Sequence, residues 1–157
     1  MKILLGSDHA GLRLKEEIQR HLESRGVQVE DFGTYDDSSV DYPDFARMVA
    51  GGVSRGEADR GILVCGSGVG MSVVANKFPG VRAALVTAVE VAEQSRAHVD
   101  SNVLVFGEKF IGRDIAMKAL DTWIDTPFEG GRHGRRVHKI AAIEKEIAEE
   151  ILRNNSR

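Results

Sequence analysis

The segment Cys65-Gly66-Ser67-Gly68-Val69-Gly70 is the part of the chain whose residue types best suit chemistry. Its glycines let successive backbone N–H groups point into one concavity, and such a nest at the start of a helix receives negative charge. A thiol at the head of a nest has its charged form favoured below the usual pKa of about 8.5, which makes Cys65 a candidate base. The same six residues also suit a small buried thiol followed by a tight βα turn, and the motif alone leaves both readings open. Asp8-His9 is a second cluster, where the aspartate could orient a hydroxyl and the imidazole could meet an anion, or where Asp8 simply caps a helix. His98 carries the side chain best suited to moving protons between oxygens at neutral pH. Arg132-His133-Gly134-Arg135-Arg136 is a dense basic run. On a helix Arg132 and Arg136 share a face and could grip one phosphate, although a solvated face has the same pattern.

Other chemistries fit less well. The glycine spacing is too short for a dinucleotide fingerprint, and no acidic residue closes the next strand. Ser67, His98 and Asp8 could form a hydrolase triad, but Gly66-Ser67-Gly68 lacks the Gly-x-Ser-x-Gly elbow. The histidines His9, His21, His98, His133 and His138 show no ligand spacing and one cysteine cannot build a zinc cluster, so neither a metal nor another cofactor is expected.

Positioning these groups requires strands that end where they begin. Ile3 to Leu5 reads as a strand broken at Gly6 to Gly11, followed by a helix through Leu12, Leu14, Ile18 and Leu22, which Gly26 closes. Val27, Val29 and Phe32 alternate as a second strand. After a polar loop, Thr34 to Asp41, Tyr42-Pro43 opens a helix through Phe45, Met48 and Val49. Ile62-Leu63-Val64 is a continuous apolar run, the mark of a strand buried on both faces, and it leads straight into the Cys65 loop and a helix. Arg82 to Thr87 and Asn102 to Phe106 are the fourth and fifth strands, each with a helix after it. From about residue 132 a last helix carries Val137, Ile140, Ile143, Ile147 and Ile151. Five strands alternating with helices predict an α/β fold with a parallel sheet covered on both faces. Ligands of such sheets gather at the carboxyl ends of the strands. The clusters at Ser7 to Gly11, at Cys65 to Gly70 and around His98 are all expected there.

With 157 residues and 42% hydrophobic content, the chain fits a single domain, 1–157. A formal net charge of -3 and a pI near 6.0 give no global attraction to nucleic acid or to an anionic membrane. A lone cysteine and an opening apolar run too short for a signal peptide or a span predict a reducing, cytoplasmic setting.

Taken together, Ser7-Asp8-His9-Ala10-Gly11, Val40-Asp41-Tyr42-Pro43, Cys65 to Gly70 running on to Ala75-Asn76-Lys77, Arg96-Ala97-His98 and Gly130-Gly131-Arg132-His133 resemble the type B ribose-5-phosphate isomerases. That family also contains the galactose-6-phosphate isomerase subunits. The resemblance runs to about Ile143. It implies a Rossmann-like, three-layer α/β/α fold and a homodimer, or dimer of dimers, with shared active sites. It also implies interconversion of ribose 5-phosphate and ribulose 5-phosphate through an enediolate, in the pentose phosphate pathway, without a metal. Carried onto this chain, Cys65 would move the C2 proton, Ser67 would assist transfer between oxygens, and His98 with Asp8 would open the furanose ring. The amides of Gly66, Gly68 and Gly70 would stabilise the enediolate. His9, Arg132, Arg136 and Lys109 would hold the phosphate and Tyr42 would line the sugar site. Some members use a glutamate base where this chain has Met71, so the cysteine form is the consistent one. Val99 stands where asparagine is usual in the family and bears on sugar choice, so another aldose or a six-carbon sugar phosphate is the alternative substrate. A non-catalytic sugar-phosphate-binding module is the remaining reading.

Overall fold

Short apolar runs alternate with amphipathic stretches, and in the computed structural model, which describes residues 1–155, they form five strands and six α-helices. The expected domain also takes in residues 156 and 157, which lie outside the described residues. In chain order the elements are β1 (Lys2–Ser7), α1 (Leu12–Ser24), β2 (Gln28–Asp31), α2 (Tyr42–Ser54), β3 (Arg60–Cys65), α3 (Val69–Ala75), β4 (Ala83–Leu85), α4 (Val89–Val99), β5 (Val103–Gly107), α5 (Arg113–Asp125) and α6 (Gly131–Asn155). A short 3-10 turn, His9–Gly11, joins β1 to α1.

All strands pair in parallel, in the order β2-β1-β3-β5-β4. The three inner strands are the continuous apolar runs, as a sheet covered on both faces requires. The chain visits the far edge as β4 before returning to fill the gap as β5. Side chains alternate across the sheet. Ile3, Leu5, Ile62, Val64, Leu104 and Phe106 pack under α1, α4 and α5, around the fully buried Trp123. Leu4, Leu63, Val103 and Val105 pack against α2 and α3, with Val49 and Met71 among their neighbours. The expected three-layer α/β/α arrangement follows directly.

Parallel strands make every crossover helix run back toward the amino edge of the sheet. Asp8 and Cys65 leave β1 and β3 at the carboxyl edge. By contrast, α4 ends just before β5 begins, so His98 lies at the amino edge. The expectation that all three clusters share the carboxyl edge is therefore corrected for His98. The five residues of β5 alone put roughly 15 Å between the two edges.

The loop after β2 is held from below by a buried cation. Lys15, only 1% exposed, donates to Asp31 Oδ2 at 2.6 Å and to the Thr34 carbonyl at 2.7 Å, with Tyr35 packed over the ammonium. Removing one partner of a buried ion pair strands the other charge. Asp31→Ala is expected to lower the unfolding free energy by about 3 kcal/mol or more, read from denaturant titration. A Lys15→Met, Asp31→Leu double variant should recover much of that loss.

Candidate active site

The carboxyl edge gathers most of the expected residues. Cys65 ends β3 and is 5% exposed. Its Sγ accepts the Gly68 N–H at 3.0 Å, so one amide of the loop is aimed at the sulfur. Gly68 holds φ +76°, and a Cβ there would lie 2.4 Å from Leu85 Cδ1. A side-chain-bearing residue could not make this turn. Ser67 is exposed and its Oγ accepts the Val69 N–H at 3.3 Å. The N–H groups of Ser67, Gly70 and Met71 find no acceptor among the described residues, which leaves donors facing outward from the loop. Tyr42 lies over Gly70, where a Cβ would come within 2.6 Å of its ring. Lys109, just past β5, runs its stem across Gly66 and donates its backbone N–H to the Gly66 carbonyl at 3.0 Å.

Asp8 caps the turn after β1, its Oδ1 accepting from Ala10 N–H at 2.9 Å and Gly11 N–H at 3.1 Å. The capping role is real, and it leaves Oδ2 without a hydrogen bond from the described residues. His9 follows. The Val40 N–H donates to His9 Nδ1 at 3.2 Å, which makes that nitrogen the acceptor and puts the proton of a neutral ring on Nε2. His9 is thus preset as a donor. Met71, the position without a carboxylate, is fully buried in the core.

The remaining expected residues, His98, Arg132 and Arg136, form a second cluster at the amino edge. Arg132 and Arg136 occupy the first turns of α6, beside the end of α4, where the Glu129 N–H donates to the Ala97 carbonyl at 3.1 Å. The His98 and His133 rings stack with centroids 4.2 Å apart and planes 2° from parallel. Glu129 Oε2 lies 3.9 Å from His98 Nε2 and 3.5 Å from His133 Nε2. Directly after Val99, which is 40% exposed, Asp100 takes the left-handed conformation at φ 49° and ψ 48°. Its carboxylate is gripped by Arg96 at 2.7 Å and Arg82 at 3.0 Å. Within one protomer the sulfur and the His98 imidazole face opposite edges of the sheet. A concavity of about 840 Å³ lies at the base of α6, lined by Arg135 and His138 and by no residue of the Cys65 loop.

His133 and Glu129 carried no role in the sequence reading. Their signal was the four-residue spacing of a carboxylate and a histidine, but only the fold adds His98 from α4. The three offer ligand atoms within 4.8 Å of one another, which corrects the view that the histidines form no such cluster. Two features disfavour a metal there. Parallel stacked rings send their lone pairs side by side where convergence is needed, and Arg132 Nε already lies 3.3 Å from His133 Nε2.

Residues 3–140 match the model of the Ribose/Galactose Isomerase family. Ribose-5-phosphate isomerase B of Escherichia coli is 49% identical over 144 residues, which cover 92% of this chain and 97% of that protein. Among solved structures, ribose-5-phosphate isomerase B of Clostridium thermocellum superposes with a TM-score of 0.92 at 52% identity, covering 94% of this chain and 99% of that one. The Mycoplasma genitalium enzyme, solved with bound ribulose-5-phosphate, gives 0.89 at 44% identity, covering 92% and 97%. Fold, loop and relatives together define an enzyme of the aldose–ketose isomerase class. The chain belongs to the Ribose/Galactose Isomerase family.

His133 is held below the ordinary histidine pKa by burial, then by the charges of His98 and Arg132, with Glu129 opposing and Arg136 adding to the shift. The fold therefore keeps this ring neutral while the unfolded chain takes up a proton, so stability falls as pH drops through the unfolded value of about 6.5. The thermal midpoint should decline between about pH 7.5 and 5.5, and less steeply in His133→Phe.

Proposed function

We propose that this enzyme interconverts ribose 5-phosphate and ribulose 5-phosphate through an enediolate, with Cys65 as the base and no metal in the reaction. The observation that carries this reading is the Gly68 N–H directed at Cys65 Sγ at 3.0 Å, beside amides with no other acceptor. A donor aimed at sulfur favours negative charge there, and free donors next to it suit an oxygen that gains charge as a carbon loses its proton.

In the proposed sequence, His98 gives a proton to the ring oxygen while Asp8 takes one from the anomeric hydroxyl, and the sugar opens to the aldehyde. The Cys65 thiolate removes the C2 proton, and the C2–H electron pair becomes the C1–C2 double bond as charge moves to O1. Ser67 passes the O2 proton to O1. The resulting thiol returns its proton to C1, which leaves the ketone at C2 and the thiolate restored. His9 Nε2–H, Lys109, Arg132 and Arg136 hold the phosphate, Tyr42 flanks the chain of carbons, and Gly66, Gly68 and Gly70 keep the loop backbone close. Anchoring the remote phosphate lets binding energy orient C2 over the sulfur.

One protomer cannot supply this set, because the edge that carries Cys65 lacks His98. The site is therefore shared in a homodimer, each sulfur working with the partner's amino-edge cluster. The surface of α6 supports the reading: Ile140, Ile143, Ile147 and Ile151 are each about half exposed, a stripe that a second copy would cover. Among the described residues no helix is long and apolar enough to cross a membrane, and we assign the enzyme to the cytoplasm. Val99, which offers no side-chain hydrogen bond next to His98, favours one alternative substrate, another aldose or a six-carbon sugar phosphate. A panel of aldose phosphates separates the two.

Cys65→Ala should lose about 10²-fold or more in turnover in a coupled ribose 5-phosphate assay while remaining folded, with chelator leaving the wild-type rate unchanged. Full activity in that variant would remove the sulfur from the reaction. Mixing unfolded Cys65→Ala with unfolded His98→Ala and refolding them together should restore about a quarter of wild-type activity, since half the dimers are mixed and each has one complete site. No recovery would place both groups in the same protomer's site.

A further inference from the structure

His133 is the one fully buried histidine among the described residues, at 5% exposure, and the proposed reaction gives it no task. It lies flat against His98, with centroids 4.2 Å apart and planes within 2°. His98 needs such support. Its side chain is 40% exposed at the last turn of α4, where an unsupported imidazole would sample several rotamers. The Arg132 Nε–H reaches His133 Nε2 at 3.3 Å, so that nitrogen acts as acceptor and the ring is the neutral tautomer. Two imidazolium rings stacked face to face would repel, and a neutral His133 removes that repulsion from the stack. Glu129 Oε2 lies at the edge of the stack, 3.9 Å from His98 Nε2 and 3.5 Å from His133 Nε2.

We propose that His133 is a positioning residue for His98, a flat neutral platform that fixes the plane of the imidazole while Glu129 faces its Nε2. This rests on the reading that His98 opens the sugar ring. A misaligned proton donor loses rate even when substrate is held normally, because the donor must meet the ring oxygen along its N–H direction. His133 does not touch the sugar in this scheme and acts only through His98.

The test is a double-mutant cycle on ribose 5-phosphate turnover, with thermal midpoints measured for each variant. His133→Leu fills the space without a flat ring and should lower kcat by about tenfold to a hundredfold while KM moves by less than about threefold. His133→Phe restores flatness and should recover most of that loss. In a His98→Ala background, adding His133→Leu should cost nothing more, since the platform then supports nothing. Should His133→Leu not fold, His133→Met is read in its place. Equal losses from His133→Leu with and without His98 would overturn the proposal, as would full turnover in His133→Leu when His98→Ala is impaired. Full turnover in His98→Ala would instead sink the ring-opening reading, and this inference with it.

Discussion

A parallel sheet imposes one constraint from which the rest of this molecule follows. All strands point the same way, so each return helix must deliver the chain to the amino edge before the next strand can start. Groups that follow a strand, such as Asp8, Cys65 and Lys109, collect on one side. Groups that end a return helix or follow one, such as His98 and Glu129, collect on the other. No side chain is long enough to bridge that separation within one protomer, which is why the proposed site draws on two copies of the chain.

Within the carboxyl-edge set, backbone does most of the positioning. Amides address the sulfur and the Asp8 carboxylate, and a further amide, from Val40, decides which nitrogen of His9 carries hydrogen. The Val40 amide sits in the loop that Lys15 holds through Asp31 and the Thr34 carbonyl, and that loop is tied to the end of β1 by paired bonds between Ser7 and residues 33 and 34. A charge pair under α1 thus reaches the tautomer of a histidine in the site through covalent and hydrogen-bonded neighbours, with no direct contact between them.

Much of this was legible in the residues. The apolar runs at Ile3 to Leu5 and Ile62 to Val64 identify inner strands because only a doubly covered sheet tolerates them, and Cys65 to Gly70 marks a nest because glycine spacing determines which amides can turn outward. Strand order was not legible: β4 and β5 read alike, and the decision to pass one outside the other depends on how α3 and α4 pack. His98 was recognised as a candidate preceding the fifth strand but assigned to the wrong edge, because a residue before a parallel strand lies at its amino end. Glu129 and His133 gave almost no signal, because their meaning comes from a ring on another helix.

The left-handed Asp100 narrows what evolution can do beside His98. Backbone in that region costs a non-glycine residue about 1 to 3 kcal/mol, so mutation to glycine relieves a real burden. Yet glycine would leave the guanidinium groups of Arg82 and Arg96 without their carboxylate, and asparagine would keep the turn while surrendering the charge. Drift at this position is therefore coupled to both arginines, and a lineage that changes one should be found to have changed all three.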